Sequence, residues 1–324
     1  MRSAFLPVCM TCAIAALAFG CGAATRDYPA RPIRAIVGFV PGGATDILAR
    51  QLGHALTRNL GQQVIVDNRP GGSGIIAATL ARDAQPDGYT IFFGTISTLA
   101  TNVATVRRLP YDPLKDFAPV TLAVSTPYFL VVHPGVPVKS LREFIAFARE
   151  HPGGLNFASS GTGGGNHLAM EMFRAMAGID MVHIPFKGSA QATTEVLAGR
   201  VHMTFSQPAV MLTHARAGKL KVLAVTSRKR LASWADAPPI AEAVPGYEAN
   251  SWQGVVVPAR TPDPVIRRLN SEIIAALNSP AIKGRLLAEG SEIGGISPEE
   301  FARYIRNEIE KWIKVVRDSG LRLD

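Results

Sequence analysis

From residue 33 onward, apolar positions switch repeatedly between two spacings. Mainly apolar runs of strand length, such as "IRAIVGF" (33–39), "QVIV" (63–66) and "YTIFFGT" (89–95), alternate with stretches where apolar residues return every three or four positions. Runs of the first kind read as buried strands, and the second kind as amphipathic helices. After "IRAIVGF", Leu48, Leu52, Leu56 and Leu60 share one face, which predicts a helix over 45–60 stopped by Gly61. The middle of the chain repeats the scheme, with strand signals at 126–134, 155–160, 181–186, 201–206 and 220–227. The last third is helical, over 262–278, 280–290 and 297–316. Ser140 with Glu143, and Ser297 with Glu300, have the spacing of capping boxes.

Strands alternating with helices predict an α/β protein with mostly parallel sheets covered on both faces. Two glycine-rich strand-to-helix turns, "PGGATD" and "SSGTGGGN", lie far apart, and each opens one α/β half. The segments 117–134 and 248–258 read as crossings between the halves. The expected division is domain I at 25–122 plus 250–324 and domain II at 123–249. Trp252, on the return crossing, is expected to report ligand binding by its fluorescence.

Composition adds two constraints. With 324 residues, 47% hydrophobic and 18% charged, the chain has the make-up of a folded protein. Arg2, an apolar stretch over 4–20 and then small residues describe a secretory signal over 1–24. Cleavage near Ala23 or Ala24 is preferred, and acylation at Cys21 is the alternative. Cys9, Cys12 and Cys21 all fall in or beside that segment, so the exported domain relies on its core without disulfides. The formal net charge is +9, but the basic residues are scattered in groups such as "TVRRLP", "SRKR" and "VIRRLN". That pattern argues for a solvated basic surface and against nucleic acid as partner.

The catalytic motifs fail one by one. "GTGGGN" has Asn166 where a dinucleotide fingerprint needs its third glycine, and no Gly-Lys-Ser/Thr phosphate loop occurs. His167 and Glu171 stand one helical turn apart without the H-E-x-x-H pattern, so no metal or cofactor is expected. No G-x-S-x-G elbow is present. An exported hydrolase using Ser159, Ser160 or His167 is the alternative reading. The two glycine turns instead place main-chain amides at open helix N-termini, which suit an anion between two domains.

The stretches "VGFVPGGATDILAR", "VIVDNRPGGSGIIAA", "FASSGTGGGNHLAMEMF", "IPFKG" and "PPIAEAVPGYEANSWQGVVVPARTPDPVIRRLN" resemble the Bug-type receptors, periplasmic solute-binding proteins of tripartite tricarboxylate transporters. The resemblance covers nearly all of the chain after the signal. It implies a two-domain Venus-flytrap fold of type II character and capture of a small carboxylate without catalysis. It also implies delivery to the membrane permease subunits, or to a sensor partner in an orphan receptor, by a periplasmic monomer. Carried over, its ligand contacts are Phe39, Pro41, Gly42, Gly43, Ala44, Thr45 and Asp46, with Thr95, Thr98 and Asn102 from the loop after "IFFG". From domain II they are Ser160, Gly161, Thr162, Gly163, His167, Phe186, Lys187 and Ser206, with Gly188 nearby. Two departures stand out. Ser206 replaces an acid common in the family, which puts in doubt pairing with a ligand amino group. Ile96 and Leu99 replace smaller or polar residues, and either make the pocket more apolar or point into the core.

Overall fold

The computed structural model describes Met1 and residues 28–319; the expected signal segment, its three cysteines and the sites at Ala23 and Ala24 lie outside the described residues. In the first half, strands β1 (Ile33–Val37), β2 (Val64–Asn68), β3 (Thr90–Thr95) and β4 (Phe117–Pro127) accompany helices α1 (Ala44–Leu60), α2 (Ile75–Arg82) and α3 (Asn102–Thr105). A second series follows: β5 (Phe129–Val132), α4 (Leu141–Glu150), β6 (Leu155–Ser159), α5 (Gly165–Ala177), β7 (Met181–Pro185), α6 (Ser189–Leu197), β8 (Met203–Ser206), α7 (Pro208–Arg216) and β9 (Lys221–Val225). The chain ends with β10 (Asn250–Pro258), α8 (Asp263–Leu277), α9 (Pro280–Ala288), β11 (Glu292–Ile293) and α10 (Pro298–Ser319).

Two sheets result, one in each lobe. The first has the order β11-β4-β10-β3-β1-β2 and the second β7-β6-β8-β5-β9. Among the strands of the described residues, β2-β1-β3 and β7-β6-β8 run parallel, and every pairing of β10, β11 and β5 is antiparallel. The sheets are therefore mixed, where the apolar pattern predicts mostly parallel ones. The antiparallel strands include those leading between lobes, so their direction is set by the crossing and not by a local βαβ connection. Strand β4 stays in the first sheet to Pro127, pairing there with Asn250 of β10, so residues 123–127 lie with the first sheet.

The expected "TPYFLVVHP" strand is broken at Tyr128, where the chain passes from one sheet to the other. Thr226 ties the two crossings together. Its hydroxyl accepts from the Tyr128 amide at 2.7 Å, and its carbonyl accepts from the Ala249 amide at 3.2 Å. A continuous buried cluster runs from Phe92 and Phe117 of the first lobe to Phe157, Phe173 and Phe205 of the second. Trp252 belongs to that core: it is 1% exposed, packs edge-on against Phe301 and Tyr304, and donates its indole N–H to Glu308 at 2.8 Å.

Helix ends follow their residues. Gly61, at φ 68°, turns the chain out of α1 and donates to the Thr57 carbonyl at 3.1 Å. At α4 the Ser140 hydroxyl accepts from the Glu143 amide at 3.2 Å, but Glu143 reaches back to the Lys139 amide. The reciprocal box forms at Ser297 and Glu300.

Candidate functional site

Between the lobes lies a small chamber of about 30 Å³. Four helices of at least nine residues begin at its wall: α1 through Gly43–Thr45, α5 through Asn166, α6 through Ser189 and α7 through its N-cap Gln207. None of the four is closed by the side chain of its own N-cap residue. Each N-terminus carries unsatisfied N–H groups and a partial positive charge. The remaining wall includes Thr95, Ile96, Ser97, Tyr128 and Ser251. Apart from the Tyr128 phenol, no lining residue among the described residues is ionisable. Burial pushes that phenol well above its ordinary range, so it stays protonated and can donate. A neutral chamber rich in fixed donors suits an anionic group whose charge must be balanced by dipoles.

Outside the chamber the lobes diverge into a mouth of about 1180 Å³. Phe39 and Ser160 line both spaces and join them. Gly161, Thr162, Gly163, Phe186 and Lys187 line the mouth, as does the Gly71–Ile75 strap of the first lobe.

The two glycine turns are held from behind. Asp46, 2% exposed, accepts from the Gly42 amide at 2.9 Å, from Arg50 Nε at 3.0 Å and from Asn68 Nδ2 at 2.9 Å. Burial pushes its carboxyl upward, but the hydrogen bonds from Arg50, Gly42 and Asn68 outweigh that and hold it below the usual carboxylate range. In the second lobe, His167 Nδ1 accepts from the Gly163 amide at 3.0 Å, and His167 stacks on His183 with centroids 3.8 Å apart. The Ser159 hydroxyl lies 2.6 Å from His183 Nε2 and accepts from the Gly161 amide at 3.2 Å. Desolvation, then the neighbouring His167, lowers the His183 pKa to about 3.

The lobes touch across the cleft through small residues and hydroxyls. Ser73 donates to the Thr162 carbonyl at 2.6 Å, Thr101 donates to the Gly163 carbonyl at 2.7 Å, and the Gly165 amide donates to Ser97 Oγ at 3.0 Å. A Cβ at Gly161 would fall 2.5 Å from Ser73 Oγ, at Gly163 2.6 Å from Thr105 Oγ1, and at Gly165 2.3 Å from Ile96 Cγ2. These glycines thus make room for the opposite lobe, a use of the "GTGGG" stretch that its sequence alone does not reveal.

Of the residues expected in the site, Phe39, Gly43, Ala44, Thr45, Thr95 and Ser160 meet in the chamber. Pro41 and Gly42 are exposed beside it and line neither space. Thr98 is fully buried, with its hydroxyl accepting from the Thr95 amide. Asn102, also fully buried, donates to Tyr111 Oη and to the Ser73 carbonyl. The Ser206 hydroxyl is paired with Thr193 at 3.0 Å, while its neighbour Gln207 faces the chamber and donates to Ser251 at 2.9 Å. Ile96 lines the chamber and Leu99 is core, so the two readings of "GTISTL" divide between them. Ser189 and Gln207, with Ser97, Tyr128, Asn166, Phe205, Ser251 and Gln253, line the chamber and are not among the residues expected there. The available signal was positional: the first two sit at strand-to-helix junctions like the glycine turns, but without the glycines.

A family model described as "Tripartite tricarboxylate transporter family receptor" matches residues 48–321. The chain is 36% identical over 298 residues to the protein BugT of Bordetella pertussis, covering 91% of each. Among solved structures it is similar to "R. palustris Rpa4515 with adipate", at TM-score 0.88 and 38% identity over 91% of this chain and 99% of that one. It is also similar to MatC (Rpa3494) from Rhodopseudomonas palustris with bound malate, at TM-score 0.85 and 30% identity over 89% of this chain and 100% of that one.

Proposed function

The chain belongs to the tripartite tricarboxylate transporter receptor family, and on that premise we propose that it binds a small carboxylate, one carboxyl group entering the chamber between its lobes. The family is one of solute-binding receptors. The observation that carries the ligand class is the convergence of four helix N-termini, none capped by its own N-cap side chain, on one neutral chamber. Each terminus contributes ~0.3–1 kcal/mol toward an anion, and up to ~2 when partly buried. Each hydrogen bond to the charged group adds roughly 1.5–3 kcal/mol. Together they support micromolar capture, about −8 kcal/mol, after the cost of ordering the lobes.

The chamber, at about 30 Å³, has the room of one small group. A carboxylate fills it and the rest of the acid extends toward the mouth. The lobes part to admit the ligand and reclose on it, hinging near Tyr128 and Ala249. In this reading residues 1–24 export the protein, domain I and domain II are the two lobes, and the closed form is presented to the permease subunits. The adipate and malate bound by the two relatives make short dicarboxylates the first acids to try.

The test is a thermal-shift screen of the exported domain against small carboxylates. A ligand at ~100 times its dissociation constant adds about 2.7 kcal/mol to stability. If no acid shifts the transition while the protein turns over an ester or amide, the hydrolase reading replaces this one.

A further inference from the structure

The chamber accounts for one end of the ligand, and the mouth bears on the other. Among the described residues its lining carries three charged side chains, Arg107, Arg108 and Lys187, and no acidic one. Arg107 and Arg108 follow α3 in the first lobe, whereas Lys187 precedes α6 in the second, so both lobes contribute. All three are exposed, and none has a carboxylate partner among the described residues. Other cations of the two lobes are paired: Arg50 with Asp46 at 2.9 Å, Arg34 with Asp67 at 2.5 Å, and Arg174 with Glu171 at 2.8 Å. Three unpaired cations around a concave space focus a positive potential there.

We infer that Arg107, Arg108 and Lys187 form a second anion subsite, selecting acids that carry two separated anionic groups over monocarboxylates of the same length. The inference rests on the receptor reading above. It follows from the division of labour between the two spaces: the chamber has dipoles and no charge, the mouth has charge, and they meet at Phe39 and Ser160. One carboxylate fills the chamber, so a longer acid must lead its far end past those two residues into the cationic mouth. Because the cations stand on both lobes, their repulsion opposes closure, and a second anion between them removes that opposition. A monocarboxylate leaves the repulsion in place.

The experiment is calorimetry on matched pairs, with succinate against butyrate, adipate against hexanoate, and octanedioate against octanoate. Wild type is compared with Arg107→Gln/Arg108→Gln and with Lys187→Met, and melting curves control for folding. Wild type is expected to prefer the dicarboxylate by about tenfold in at least one pair, the combined worth of a few partly exposed ion pairs. That preference shrinks in about 0.5 M salt. The double arginine variant, relieved of the repulsion, should bind the monocarboxylate at least as tightly as wild type and lose the preference, and Lys187→Met should lose part of it. Equal binding of both acids by wild type, or an undiminished preference in the double variant, overturns the inference while leaving the receptor reading intact. Binding of no acid at all overturns both.

Discussion

Replacing Gly165 with alanine separates closure from folding. Gly165 is the first residue of α5, and alanine suits that helix at least as well as glycine. The added methyl conflicts only with what faces the helix: its Cβ would lie 2.3 Å from Ile96 Cγ2 and 2.8 Å from Tyr128 Oη. Carbon atoms pack best at ~3.5–4.0 Å, so the second-lobe turn must retreat by more than ~1 Å. Ile96 is only 2% exposed and has little room to yield. The retreat stretches three bonds across the cleft, from Ser73 to Thr162, from Thr101 to Gly163 and from Gly165 to Ser97. At ~0.5–1.5 kcal/mol each, their loss amounts to about 1.5–4.5 kcal/mol, or roughly a tenfold to thousandfold fall in affinity. Calorimetry measures the affinity, and small-angle scattering with saturating ligand measures whether the lobes close. Gly284→Ala is the control: nothing lies within 4 Å of its Cβ, so this change in α9 should leave binding alone and add about 0.5–1 kcal/mol of stability. If Gly165→Ala binds within twofold of wild type and contracts to the same radius, the lobe-contact role assigned to this glycine is wrong.

Other outcomes follow from the groups behind the turns. Asp46→Ala should cost about 2–3 kcal/mol in denaturant unfolding, because Arg50, Asn68 and the Gly42 amide all lose their acceptor. The folded-state carboxyl is held below its ordinary pKa, so its contribution is present above the usual carboxylate range and is lost as pH falls through the depressed value; a melt series from pH 6 downward in wild type and variant checks the sign. His183 resists protonation down to about pH 3, whereas the unfolded chain takes up that proton near pH 6.5, so stability should fall as pH drops between those values. His183→Gln should flatten that slope, and an unchanged slope would assign it to other groups. Trp252 sits in the core with its indole on Glu308, so Trp252→Phe should destabilise the first lobe and leave the ligand-induced change in emission largely intact.

The sequence made the alternation of strands and helices readable because each element repeats its apolar positions at its own period. Helix α1 is the clearest case: four leucines, a glycine stop and a glycine entry place it within one residue. What periodicity could not supply was direction across the cleft. "ISTLATNVA" mixes apolar residues with small polar ones at no clear period, so nothing in its order says that Ile96 faces the chamber, that Leu99 is core, or that Ser97 and Thr101 reach the other lobe. Ser206 and Gln207 are adjacent, and only the end of β8 at the first and the start of α7 after the second decide that Gln207 faces the chamber. Arg107 and Arg108 look like scattered surface charge until the fold sets them opposite Lys187. Long-range juxtaposition of this kind has no local signature.

Fixed dipoles at converging helix N-termini are proposed to hold the carboxylate. The most direct test is a crystal structure with the tightest-binding acid from the screen. One carboxylate is expected inside the chamber, accepting hydrogen bonds from amides at the starts of α1 and α5 and from Thr45 or Ser160, with no Arg or Lys in contact with that end. A ligand held only at the mouth by Arg107, Arg108 or Lys187, with its carboxylates outside the chamber, would contradict it.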